Sequence, residues 1–173
     1  KDIVLKNGDE LLLNHHEVPG SSTEVFIKYP HFHQDVKIGD TVLVDDGKIE
    51  LEVTEILPDE KVKTKVIHGG PLSSRKGVNL PNTLISLPSL TEKDRNDLDF
   101  ALKHDVEWIG LSFVRKPEDV IELKNIIKSR NSMTRVIAKI EKPEAVLNID
   151  AIIQVSDGVM VARGDLGVEM PME

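Results

Sequence analysis

Two unlike halves are predicted: a small all-β module over residues 1–75, followed by an α/β segment over residues 76–173. Three observations lead there. Apolar and polar residues alternate with period two through the first half, between turn residues, as in short half-buried antiparallel strands. In the second half, continuous apolar runs of strand length alternate with helical patterns, the mark of a parallel sheet covered on its faces. The 173 residues, 39% hydrophobic and 30% charged, suffice for one ordinary domain or two small ones with a real core.

In the first half, Glu10 to Leu13 and Glu24 to Ile27 are weaker strand candidates, separated by the turn-rich Pro19-Gly20-Ser21-Ser22. The clearest strand is Lys48-Ile49-Glu50-Leu51-Glu52-Val53, with Ile49, Leu51 and Val53 on one face. It is entered from Thr41-Val42-Leu43-Val44 through Asp45-Asp46-Gly47, whose Asp-Gly supplies the positive φ angles of a tight hairpin. Beyond Leu57-Pro58-Asp59-Glu60, Lys61 to Val66 alternates again, with three lysines toward solvent. Such a module protects its edges by closing into a barrel or by sandwiching. Gly69-Gly70-Pro71-Leu72-Ser73-Ser74 is expected to be a flexible connection.

In the second half, Thr91-x-x-Asp94 caps a helix carrying Leu98, Ala101 and Leu102. Trp108 to Phe113 is a buried strand, Pro117 opens a helix to about Ser129, and Arg135 to Ile140 is the next strand. Pro143 opens one helix with Ala145, Val146, Ile149 and Ile152-Ile153, and Gly158 to Ala162 is the last strand. Crossovers between parallel strands should be right-handed.

Composition excludes several classes. The formal charge is −8, with both halves acidic, so no duplex-binding face is expected. Without cysteine there is no disulfide scaffold, Cys-zinc site or thiol nucleophile, and a reducing compartment is compatible. Apolar runs such as Leu11-Leu12-Leu13 fall far short of the ~20 residues of a membrane span, so a soluble chain is expected. The chain opens at Lys1 without Met and stops at Met172-Glu173 without a helix terminator, and is expected to be an excerpt of something longer.

Polar residues gather at the carboxyl ends of the predicted parallel strands: Ser112 with Arg115-Lys116, Lys139 with Glu141, and Arg163 with Asp165. Ligands bind at that edge in open and closed parallel sheets alike. Lys139 and Glu141, two apart on an extended strand, project into the same space, as a plain ion pair or as part of a site. Asp165 from the next strand favours a site, because two converging carboxylates repel unless a cation lies between them, and Mg²⁺ is held by such oxygen ligands. Lys139 would then add a movable positive charge or proton donor. Gly164-Asp165-Leu166-Gly167 offers free N–H groups to an anion if a helix follows. Neither GxxxxGK[ST] nor GxGxxG occurs.

Other candidates carry less. His31-x-His33 lacks a third ligand at recognisable spacing and is expected to be solvent-exposed, and His15-His16 point to opposite faces and are not expected to form a site. Trp108 heads a buried strand and belongs in the core rather than on a stacking platform. Asp45-Asp46 is fully explained by a hairpin turn, although a nucleotide-metal contact would also explain two clustered acids.

With these residues assigned, Lys76-Gly77-Val78-Asn79-Leu80-Pro81, Ser112-Phe113-Val114-Arg115-Lys116, Ala138-Lys139-Ile140-Glu141 and Ser156 to Glu169 together resemble the pyruvate kinase family in order and spacing. The β-rich half, with Val42 to Gly47, resembles that family's mobile B domain, or lid. The resemblance implies a small β-barrel lid followed by part of a (β/α)8 TIM barrel, about strands 4 to 6. It implies phosphoryl transfer from phosphoenolpyruvate to ADP, giving pyruvate and ATP, in a cytoplasmic glycolytic homotetramer. The implied ions are Mg²⁺ or Mn²⁺, and K⁺ with ligands outside this chain. Lys139 matches the lysine that stabilises the transition state and touches substrate, Glu141 and Asp165 the metal ligands, and Gly164-Asp165 the substrate-binding backbone. Lys76 matches a nucleotide-binding lysine, and Asp46 or Asp45 an acid facing the nucleotide.

The family's first three barrel strands should precede Lys1, and its last two strands and C-terminal regulatory domain should follow Glu173. A complete barrel takes ~250 residues, so this chain should be inactive alone and should self-associate through open barrel edges. Asn82 stands where the family often has Gly and Lys142 where it often has Asn, and neither is expected to touch the chemistry. The alternative is a non-catalytic module that binds a metal or nucleotide.

Overall fold

The structure, a computed structural model, describes residues 3–81 and 83–170; Asn82 and the terminal Met172-Glu173 lie outside the described residues. The chain divides into two compact units between Ser86 and Leu87.

The first unit comprises β1 (Ile3–Leu5), β2 (Glu10–Asn14), β3 (Glu24–Phe26), the short helix α1 (Phe32–Asp35), β4 (Thr41–Val44), β5 (Ile49–Ile56), β6 (Val62–His68), β7 (Gly70–Leu72) and β8 (Val78–Asn79). Six strands form one sheet in the order β3-β2-β6-β5-β4-β8, and β1 pairs with β7 in a separate ladder. The unit runs past residue 75 because Val78 and Asn79 pair with Val44 and Leu43 of β4.

The strongest alternation is realised on β5 and β6. Ile49, Leu51 and Val53 are buried, as are Val62, Thr64 and Val66. The buried Thr64 hydroxyl is satisfied by donating to the Leu11 carbonyl at 2.9 Å. The β4–β5 hairpin turns through Asp45, Asp46 and Gly47, all with positive φ (54°, 57° and 83°), a conformation Asp tolerates better than most residues.

Two expectations are corrected here. The strands are not all antiparallel: β2 and β3 run parallel, with Leu12 opposite Glu24. A tight turn cannot join parallel neighbours, so Pro19-Gly20-Ser21-Ser22 belongs to a return loop, which Asn14 Nδ2 donating to Glu24 Oε1 at 2.9 Å helps to close. Nor is 69–74 a free connection. Gly70–Leu72 is paired with β1, and at Gly69 a Cβ would meet the Leu5 carbonyl oxygen at 2.3 Å, so only glycine allows that backbone approach.

The second unit comprises α2 (Glu92–Leu102), β9 (Trp108–Leu111), α3 (Pro117–Ser129), β10 (Arg135–Ile140), α4 (Pro143–Leu147), α5 (Ile149–Val155), β11 (Gly158–Val161) and α6 (Arg163–Glu169). Its three strands are parallel, with β10 between β9 and β11. The predicted cap of α2 forms in full: the Asp94 amide donates to the Thr91 hydroxyl oxygen, and the Asp94 carboxylate accepts from the Thr91 amide at 2.9 Å. The core gathers Leu111, Val120, Leu123, Val136, Ala138, Ile140 and Ile152. Each Val- or Ile-sized side chain buried there contributes about 1.5–3 kcal/mol.

The helix expected from Pro143 is two helices. At Asn148 the side-chain amide donates to the Glu144 and Arg115 carbonyls, both at 3.0 Å, competing with the helical ladder. Trp108 is not core. It is 44% exposed, with the Arg135 guanidinium 5.2 Å from its ring centre, because β9 is an outer strand of its sheet among the described residues.

Candidate active site

Polar groups collect at the carboxyl edge of the parallel sheet. Lys139 is the penultimate residue of β10, and Glu141 follows the strand directly. The Lys139 side chain is 28% exposed and that of Glu141 is 2% exposed. Lys139 Nζ donates to Ser112 Oγ at 3.0 Å, just beyond the end of β9. It also lies 2.6 Å from Glu141 Oε1, yet that oxygen has no hydrogen-bond partner, so the contact is ionic rather than directed. The other oxygen, Oε2, accepts from the Phe113 backbone N–H at 2.8 Å.

Phe113 carries φ of 54°, the left-handed region that bulky side chains avoid. A cost of order 1–3 kcal/mol is usual for such a residue, and here that backbone aims an N–H at the buried carboxylate. Nothing in the local side-chain pattern announces it, since the group is a main-chain amide.

Asp165 lies in the first turn of α6 and is exposed, as is Gly164. The helix on which an anion-binding role for Gly164 to Gly167 depends is present. Its first internal bond runs from the Leu166 N–H to the Ala162 carbonyl at 2.9 Å, leaving the N–H groups of Arg163, Gly164 and Asp165 ahead of the ladder. A second buried ion pair, Lys142 Nζ to Glu169 Oε1 at 2.5 Å, ties the residue after Glu141 to the last residue of α6. Lys142 therefore supports the elements that carry Glu141 and Asp165. Its partner is too distant in sequence to be read from spacing.

In the first unit, Lys76 meets Asp45 rather than Asp46. Lys76 Nζ is 3.0 Å from Asp45 Oδ1 and Lys48 Nζ is 3.1 Å from Oδ2, while Asp46 is exposed. The hydrogen bond from Lys76, then that from Lys48, holds the Asp45 carboxyl below its ordinary value of 3.8. The histidines depart from expectation. His15 and His33 are largely buried, and the rings of His15 and His16 lie 4.0 Å apart rather than on opposite faces, because the loop after β2 is not extended.

No helix among the described residues is long and apolar enough to cross a membrane.

The family model described as pyruvate kinase, barrel domain, matches residues 1–173. A pyruvate kinase of Methylorubrum extorquens is 47% identical over 170 residues, covering 98% of this chain and 35% of the relative. One of Bacillus licheniformis is 46% identical over 173 residues, covering 99% of this chain and 30% of the relative. One of Clostridium perfringens is 47% identical over 171 residues, covering 98% and 36%. The chain thus spans about a third of the length of these curated relatives, and with its family model matched from end to end it belongs to the pyruvate kinase family.

Proposed function

We propose that this chain supplies part of the active site of an enzyme that transfers the phosphoryl group of phosphoenolpyruvate to ADP, giving pyruvate and ATP. The observation that carries the reading is the Lys139 ammonium, held at the carboxyl edge of β10 between Ser112 Oγ and the buried Glu141 carboxylate. A cation so oriented, and still partly open to solvent, meets negative charge developing on a transferring phosphoryl group without having to reorganise.

The same reading assigns residues 1–75 to a small β-barrel lid and residues 76–173 to about strands 4 to 6 of a (β/α)8 barrel. Gly164 and Asp165 would meet substrate through backbone N–H groups, and Lys76 and Asp46 would meet the nucleotide. Glu141 and Asp165 would hold Mg²⁺ or Mn²⁺: the donors are hard carboxylate oxygens, and the buried Glu141 Oε1 lacks a hydrogen bond. That ion would neutralise charge on the phosphoryl oxygens. K⁺, cytoplasmic location and homotetrameric assembly belong to the same reading.

The test uses the full-length enzyme. Phosphoenolpyruvate- and ADP-dependent pyruvate formation is expected, and Lys139→Met should lower kcat by roughly 10²–10³ while altering the phosphoenolpyruvate KM much less. Near-normal kcat in that variant would remove Lys139 from the mechanism. The 173-residue chain alone should not turn over, because three strands cannot enclose a barrel site.

A further inference from the structure

The proposed function leaves unused a cluster of nitrogen and oxygen ligands in the β unit. His15 and His16 follow β2, His33 lies in α1, and Glu60 sits in the turn between β5 and β6. One ligand atom from each of His15, His16 and Glu60 lies within 4.8 Å of the others. His15 Nε2 is 3.3 Å from Glu60 Oε2, His33 Nε2 is 4.0 Å from Glu60 Oε1, and the rings of His15 and His33 are 5.4 Å apart.

Two further observations set this apart from a chance surface grouping. The side chains of His15 and His33 are only 11% and 13% exposed, and the Nδ1 atom of each is buried without a hydrogen-bond partner. In each ring it is the other nitrogen, Nε2, that faces the Glu60 carboxylate, so two largely buried imidazoles converge on one carboxylate. Glu60, moreover, holds φ of 65°, a left-handed backbone that glycine would adopt without steric cost, and its carboxylate is turned toward the two imidazoles.

We propose that His15, His16 and Glu60 bind a divalent transition-metal ion of the zinc class, with His33 as the fourth ligand. Imidazole nitrogen with one carboxylate oxygen suits Zn²⁺ and its borderline-soft neighbours, whereas Mg²⁺ and Ca²⁺ prefer oxygen throughout. Metal–ligand bonds near 2.1 Å in a tetrahedron set ligand atoms about 3.4 Å apart. The His15–Glu60 separation of 3.3 Å already meets that spacing. His16 is exposed, and a side-chain rotation brings it in.

The test is a Zn²⁺ titration of the 173-residue chain by calorimetry, with excess Mg²⁺ present to occupy any all-oxygen site, and a parallel Co²⁺ titration read in the visible spectrum. The expected result is one equivalent of Zn²⁺ bound and the intense bands of four-coordinate, nitrogen-ligated Co²⁺. His16→Ala and Glu60→Gln, both at exposed positions where the fold is not at stake, should each weaken binding roughly tenfold or more, while His31→Ala should leave it unchanged. Circular dichroism checks that each variant is folded. No Zn²⁺ binding, binding undiminished in both variants, or only the faint spectrum of six-oxygen Co²⁺ would overturn the proposal.

Discussion

Glu141 has one oxygen fixed by the Phe113 N–H and the other facing the Lys139 ammonium without a directed bond, so it is positioned yet not fully satisfied. The metal site proposed for Glu141 and Asp165 rests on that carboxylate. In the full-length enzyme, Glu141→Gln or Asp165→Asn should raise the Mg²⁺ or Mn²⁺ concentration needed for half-maximal activity. Each change removes one formal charge with little change of size. The rise should be at least tenfold, since even groups behind a ligand typically cost about 10–100-fold. Metal titrations of activity measure it, and unchanged curves in both variants would leave Glu141 as no more than the ion-pair partner of Lys139. Lys139 and Glu141 were legible from the sequence because period two puts them on one face of a strand. Phe113 was not, because its contribution is a main-chain N–H released by a positive φ. The His15, His33 and Glu60 cluster was not legible either, since it joins the loop after β2, the helix α1 and the β5–β6 turn, which lie far apart in the chain.

At the scale of elements, Asp157 ties three of them together. Its Oδ2 accepts from the Val136 N–H at the start of β10, its Oδ1 accepts from Lys124 Nζ on α3, and it immediately precedes β11. Burial alone would raise its carboxyl pKa, but the Lys124 and Val136 bonds outweigh burial and hold it below 3.8. A depressed folded-state value stabilises the fold above the unfolded value, and that contribution fades as pH falls through the folded one. Asp157→Asn should therefore cost about 1 kcal/mol near neutral pH, and the gap to the wild type should close below about pH 4. Thermal unfolding of both proteins across pH 3–7 measures it, and a gap independent of pH would contradict the charge-based account. Elements with strong local signals, such as the Thr91–Asp94 cap and the Pro117 start of α3, were predictable from short windows. The parallel β2–β3 pair and the break at Asn148 were not, because each depends on a partner outside its window.

For the whole molecule, the decisive contrast is between strands paired on both sides and strands paired on one. β5 lies between β6 and β4, and its Ile49, Leu51 and Val53 are buried. Among the described residues, β9 and β11 each pair only with β10, and Trp108, Met160 (49% exposed) and Val161 (57% exposed) lie open on them. An outer strand with exposed apolar side chains is a template for pairing with another chain. It also opens locally at lower free energy than a strand held on both sides. Hydrogen exchange on the 173-residue chain should thus show stronger protection at Ile49, Leu51 and Val53 than along β9 and β11. Protection of β9 and β11 should rise with protein concentration if copies associate through those edges, and sedimentation should show the matching increase in mass. Equal protection throughout a strictly monomeric sample would mean that three strands and their helices are stable as they stand, and would remove the open-barrel account of the second unit.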